Sequence, residues 1–176
     1  MITDRGHTLR AWHRHDAAAV LDAFQHPDMA SQASEPISTL ADASQWIDER
    51  LSQSSDGSAY SWAVASSDSL LGCVTVSSID RRHDVGWISY WTAPNERGKG
   101  AASSGLRRVA TWAFEDLGLY RLELGHRVNN PGSCNVAVAA GFAVEGVERQ
   151  KLRYGTERFD VELHARLAVD PVPGDG

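Results

Sequence analysis

Long apolar runs are missing from this sequence of 176 residues. No stretch approaches the roughly 20 apolar residues of a membrane-spanning helix, and residues 1–10 hold no apolar signal core, so neither a membrane partner nor export is expected. Cysteine is scarce: Cys73 and Cys134 stand far apart, form neither a CxxC pair nor a disulfide framework, and fit a reducing, cytoplasmic setting. An excess of positive charge is lacking too. With 17 Lys and Arg against 23 Asp and Glu, the net charge of -6 argues against a surface devoted to nucleic acid, while a local basic pocket stays compatible with it and cationic partners such as amines are mildly favoured. His13-Arg14-His15-Asp16 has no partner cluster at ligand spacing, so it reads as a capped helix start and no metal is expected. Complete phosphate motifs are absent as well. Lys99 is followed by Gly100 and the upstream position is Ala93, which excludes a P-loop, and Gly98 and Gly100 are followed by Ser103, which leaves the dinucleotide fingerprint incomplete.

What is present, 42% hydrophobic and 23% charged residues without internal repeats, suits one globular α/β (α+β) domain over residues 1–168. Residues 169–176, rich in Pro and Gly, read as a loose tail. Residues 9–12 suggest a first strand, and Ala17, Val20, Leu21 and Phe24 recur at helical spacing behind Asp16. A second helix is expected over 39–53, followed by a solvated serine-rich loop over 52–58. Three strands, 59–65, 70–78 and 84–92, follow with short polar links that imply antiparallel hairpins. The third is apolar on both sides and should be central. From Ser103 the period becomes helical through Leu106, Val109, Ala110, Ala113, Phe114 and Leu117, with Gly118 as the stop. A strand over 120–126, parallel to that of 84–92, is expected next, then a short helix behind Asn130-Pro131 closed by Gly141. Strands over 142–147 and 159–167 complete the order, with the basic stretch 149–154 as their link. The six tryptophans are read mainly as core, and a homodimer stays open, with exposed tryptophans as the feature that would mark its interface.

The turn from Trp91 to Ser103 joins the central strand to a helix and contains Arg97-Gly98-Lys99-Gly100-Ala101-Ala102, a match to [Q/R]-x-x-G-x-[G/A]. Glycines let backbone approach an anion, and a helix N-terminus supplies unpaired N–H groups for it. A structural strand-to-helix turn also favours glycine. Taken with Asn130-x-x-Ser133-x-x-Val136-Ala137-x-x-x-Gly141-Phe142 and Glu145-Gly146, the chain resembles the GNAT superfamily of acyl-CoA-dependent N-acetyltransferases, in the branch named for RimJ and RimL.

The resemblance implies a mixed, mostly antiparallel sheet of about seven strands with about four helices, splayed between the fourth and fifth strands to admit acetyl-CoA as co-substrate. It places the pantetheine arm on backbone around Trp91 and Thr92, and the pyrophosphate on Arg97, Gly98, Lys99, Gly100, Ala101, Ala102 and Ser103. Asn130 would face the thioester, though an N-cap before proline selects Asn without any ligand. Many members carry a tyrosine acid at the position of Ala137, so Ser133 is the candidate acid here. An attacking amine must be neutral, and Asp84 and Glu35 are the candidate proton acceptors, each also readable as an exposed turn acid; His83 is a further candidate. Cys134, without a positioned base, reads as an inert thiol. Arg107 and Arg108 could meet the 3′-phosphate or be solvated helix charges. The resemblance implies a primary amine as acceptor, on a protein N-terminus or a small molecule. The alternatives are a non-catalytic acyl-CoA-binding module or an enzyme for a larger acyl group such as succinyl.

Overall fold

Alternation along the strands decides which side of the sheet each residue serves. The computed structural model describes residues 6–33, 35–67 and 69–173. In chain order its elements are β1 (Thr8–Arg10), α1 (Ala17–Phe24), α2 (Leu40–Asp56), β2 (Tyr60–Ser66), β3 (Ser69–Asp80), β4 (Val85–Thr92), α3 (Ala101–Glu115), β5 (Arg121–Arg127), α4 (Pro131–Ala139), β6 (Ala143–Tyr154) and β7 (Glu157–Leu167). The seven strands make one sheet in the order β1-β2-β3-β4-β5-β7-β6, with β4 at its centre. Every pairing is antiparallel except that of β4 with β5.

Val74, Val76, Ile88, Leu122 and Leu124 meet Leu106, Val109 and Ala113 of α3, together with Ala137 of α4. The intervening parity, Ala63, Cys73 and Trp91, meets Val20 and Phe24 of α1 and Ala43, Trp46 and Ile47 of α2. Two helices therefore cover each face, the three-layer solution for a sheet apolar on both sides. The expected mixed seven-stranded sheet, its central strand and its parallel pair are what the structure shows.

Several boundaries differ from expectation, and three of them change an element's extent or role. Helix α2 continues through the serine-rich stretch to Asp56, because its stop is Gly57 in the left-handed conformation at φ 77° rather than the serines before it. The basic residues 149–154 are not a link but the far half of β6, paired as Leu152↔Phe159, Arg153↔Arg158 and Tyr154↔Glu157 beyond a register shift. Long charged side chains hide the alternation of an edge strand. Helix α3 begins at Ala101 rather than Ser103 and ends at Glu115, leaving Leu117 in the turn before Gly118. Among the described residues no helix is long and apolar enough to cross a membrane.

Candidate active site

Strands β4 and β5 are in register only over Val85↔Arg121, Gly86↔Leu122 and Trp87↔Glu123. Beyond Trp87 they part, and β5 goes on pairing with β7 as far as Arg127↔Val161. Gly125 is required at the fork: a Cβ there would stand 3.2 Å from the Trp87 ring and 2.8 Å from Val161. The parting opens a cleft of about 750 Å³, the size of a site for an extended small molecule. Residues 88–92 line it and keep their β5-side edge unpaired, so their backbone is free to receive an extended group as an added strand.

The turn expected to bind an anion forms one end of this cleft. Gly98 and Gly100 both lie in the left-handed region, at φ 76° and 82°. Gly100 is the N-cap of α3 with no side-chain cap, and the first helical bond runs from Ser104 N–H to Gly100 O at 3.1 Å. The first-turn N–H groups of Ala101, Ala102 and Ser103 thus face the cleft at the positive end of a 15-residue helix. Its basic side chains are less free than the sequence suggested. Arg97 donates to Asp28 at 2.9 Å, holding that exposed carboxyl below its ordinary range, while Lys99 bonds Glu96 at 2.9 Å and does not line the cleft.

Asn130 and Ser133 form another part of the cleft wall. The Asn130 side chain caps α4 by accepting the Ser133 N–H at 3.1 Å, with Pro131 at the first helical position. Ser133 Oγ lies 2.8 Å from the hydroxyl of Tyr90, which is also 3.0 Å from the Ser133 carbonyl. Burial pushes the Tyr90 phenol up to about 12, against the opposing pull of its bond to Ser133, so it keeps its proton throughout the neutral range.

Neither proposed base reaches this point. Asp84 sits exposed before β4, at φ 52°, where its carbonyl accepts Tyr120 N–H at 2.8 Å and Arg121 N–H at 3.1 Å. This is the closed end of the fork, and six steps of about 3.3 Å along the strand separate it from Tyr90. Glu35 is exposed and absent from the cleft wall, although Asp28, Met29 and Gln32 of the preceding turn line it. His83 is an exposed turn residue whose N–H bonds Asp80. Trp91 is 7% exposed and its ring stacks among Trp12, Phe24 and Trp46 on the α1–α2 face, so it can offer a ligand little beyond its backbone. None of the six tryptophans is exposed.

Sequence reasoning missed Tyr90, His126, Leu152 and Tyr154, all in the cleft wall. Tyr90 is one aromatic in a strand apolar on both sides, and its even position, on the face of α3 and α4, is the sign that it meets Ser133. Leu152 and Tyr154 were assigned to a link.

Comparison with known proteins agrees with this geometry. A family model described as "Acetyltransferase (GNAT) domain" matches residues 7–143. The chain is 36% identical over 108 residues to "Probable N-acetyltransferase YjcK" of Bacillus subtilis, covering 61% of this chain and 60% of that one. It is 29% identical over 111 residues to the ribosomal-protein-serine acetyltransferase of Escherichia coli, covering 63% and 62%. These matches thus span about three-fifths of each relative's length. A solved structure of RimL, described as a ribosomal alpha-N-protein acetyltransferase in complex with coenzyme A, superposes with a TM-score of 0.82 at 20% identity, over 90% of this chain and 92% of that one, and shows the same fold.

Proposed function

The chain belongs to the GNAT acetyltransferase family, and from that premise we propose that it is an acetyl-CoA-dependent N-acetyltransferase acting on a primary α-amine by direct attack in a ternary complex. The observation that carries the reading is the fork between β4 and β5, with an uncapped helix N-terminus and the Ser133–Tyr90 pair in its walls. The residues fit the coenzyme: first-turn N–H groups of α3, with Gly98 and Gly100, would hold the pyrophosphate, and the unpaired edge of residues 88–92 would hold the pantetheine arm. Once bound there, acetyl-CoA supplies the activated thioester. Backbone N–H groups on the free edge of β4, such as that of Thr92, whose parity turns it away from β3, are the donors for the charge that develops on the carbonyl oxygen.

Ser133 serves as a hydrogen-bond donor toward the departing sulfur, backed by Tyr90. A phenol at about 12 would give its proton to a thiolate of ordinary pKa near 8.5 only at a cost of about 5 kcal/mol. The pair therefore steadies the leaving group, and the proton that completes the thiol is the one the amine nitrogen loses.

The acids also bear on the acceptor. Among the described residues the carboxylates lining the cleft are Asp28 and Glu96, both ion-paired at the turn. An acceptor is then best served by its own neutral fraction, roughly one-tenth at pH 7 for an α-amine but only a few parts in ten thousand for an alkyl amine. That difference exceeds a hundredfold and favours a peptide N-terminus or amino acid over a polyamine, in keeping with the names of the ribosomal-protein relatives.

The test is free-thiol release from acetyl-CoA and succinyl-CoA across peptides, amino acids and polyamines. Turnover with acetyl-CoA, fastest on α-amines, is expected. Tight acetyl-CoA binding without thiol release for any amine would instead mark a non-catalytic acyl-CoA-binding module.

A further inference from the structure

Beside the cleft, β5, β7 and α4 converge on a cluster that acetyl transfer does not use. His126 on β5 stands directly opposite Glu162 on β7, and His164 lies two residues further along β7 on the same face, opposite Leu124. Cys134 of α4 closes the group, and one donor atom from each of the four lies within 4.8 Å of the others. The two Nε2 atoms are 2.9 Å apart. Glu162 Oε1 lies 3.0 Å from His164 Nε2, 3.4 Å from His126 Nε2 and 3.5 Å from Cys134 Sγ.

Backbone orients both rings. Nδ1 of His126 lies 3.0 Å from the Arg127 carbonyl, and Nδ1 of His164 lies 3.3 Å from that of Phe142. A carbonyl only accepts, so each Nδ1 carries a hydrogen and each Nε2 presents its lone pair. Two lone pairs therefore meet at 2.9 Å, beside a carboxylate and a sulfur, in a place where both histidines are buried. Such a meeting is stable only around a cation, either a proton or a metal ion. An imidazole N–H held by a backbone carbonyl is also the arrangement that orients metal-bound histidine.

We propose that His126, Cys134, Glu162 and His164 bind one zinc ion. Two nitrogens, one sulfur and one carboxylate oxygen make a four-coordinate set suited to this borderline-soft ion. With zinc–nitrogen bonds of about 2.0–2.1 Å in a tetrahedron, the nitrogens stand roughly 3.3 Å apart, so the imidazoles need to separate by only a few tenths of an ångström. Two neutral imidazoles, a thiolate and a carboxylate balance the charge of the ion; binding releases the Cys134 thiol proton and any proton shared by the rings to solvent. His126 alone of the four lines the cleft, which gives the ion its approach. The ion braces α4, the helix of Ser133, against β5 and β7, and the proposal does not depend on the acetyl-transfer reading.

The measurement is metal content and affinity of the whole chain after chelator treatment and addition of zinc. About one ion per chain is expected, with at least a tenfold loss of affinity in Cys134→Ser and in His164→Ala, and full retention in Ser133→Ala. Cobalt(II) added to the unmutated chain serves as a probe that does not require the buried His164→Ala variant to fold. It should show tetrahedral absorption with a thiolate-to-cobalt charge-transfer band, which Cys134→Ser removes. Zinc retention no greater than that of the Cys134→Ser/His164→Ala double variant, or cobalt that stays octahedral, would overturn the proposal and leave two imidazoles sharing a proton. Since neither readout uses thiol release, an inactive chain that binds zinc, or an active one that does not, separates this proposal from the proposed function.

Discussion

Ser133 meets two demands at once: its N–H is taken by the Asn130 cap, and its hydroxyl lies against Tyr90. Removing the hydroxyl leaves the cap intact, so Ser133→Ala should lower kcat roughly ten- to a hundredfold with acetyl-CoA affinity unchanged. Tyr90→Phe should lower kcat about tenfold, the worth of one hydrogen bond. Steady-state kinetics beside a direct binding measurement checks both, and unchanged kcat in Ser133→Ala would remove it from the mechanism. The pH profile adds a third reading. Tyr90 is protonated below about 12, so with an α-amine acceptor of pKa near 8 the rate should climb from pH 7 to about 9 and then level off, with no alkaline limb from Tyr90. These side chains were unequally legible. Ser133 stood within a spaced motif, whereas Tyr90 is one aromatic among several in an apolar strand and gains its role from a partner 43 positions away.

At the scale of elements, α3 and α4 open differently, one uncapped and the other capped by Asn130. A carboxylate placed in the first turn of α3 would favour the helix and repel a phosphate. Ser103→Glu should therefore raise the acetyl-CoA Kd at least tenfold while leaving Tm unchanged or slightly higher; calorimetry and thermal unfolding on one sample measure both. Asn130→Ala removes a cap and should cost about 1 kcal/mol in denaturant unfolding. The starts of α2 and α4 and the β2–β4 meander were readable because hydrophobic period and turn residues agreed. The second half of β6 was not, since Arg149, Lys151 and Arg153 point to solvent and its pairing is broken by a register shift. Nor does the sequence show which end of β4 lies in the cleft; Asp84 is a candidate acceptor through the family resemblance alone. Parallel pairing over Val85–Trp87 places it at the closed end.

Across the whole molecule, Arg10 of β1 grips buried Asp16 through two bonds of 2.7 Å, while the His13 N–H adds a third at 2.9 Å. Burial alone would raise the Asp16 carboxyl, but these bonds outweigh it and hold it below the ordinary 3.8. The folded chain therefore binds this proton less readily than the unfolded one, so the stabilisation is complete above about pH 5 and fades as pH falls through the lowered value. Asp16→Asn should cost about 1–3 kcal/mol at pH 7, and the gap to the unmutated chain should shrink as pH falls below about 5, as urea midpoints would report. The fork has a further meaning at this scale. Its two arms, β1–β4 and β5–β7, are joined as a sheet by only three residue pairs, so a ligand lying between them acts as an eighth strand and a thermodynamic tie. Acetyl-CoA should accordingly slow amide hydrogen exchange along residues 88–92 and make the two arms exchange as one cooperative unit, where the free chain lets them open separately.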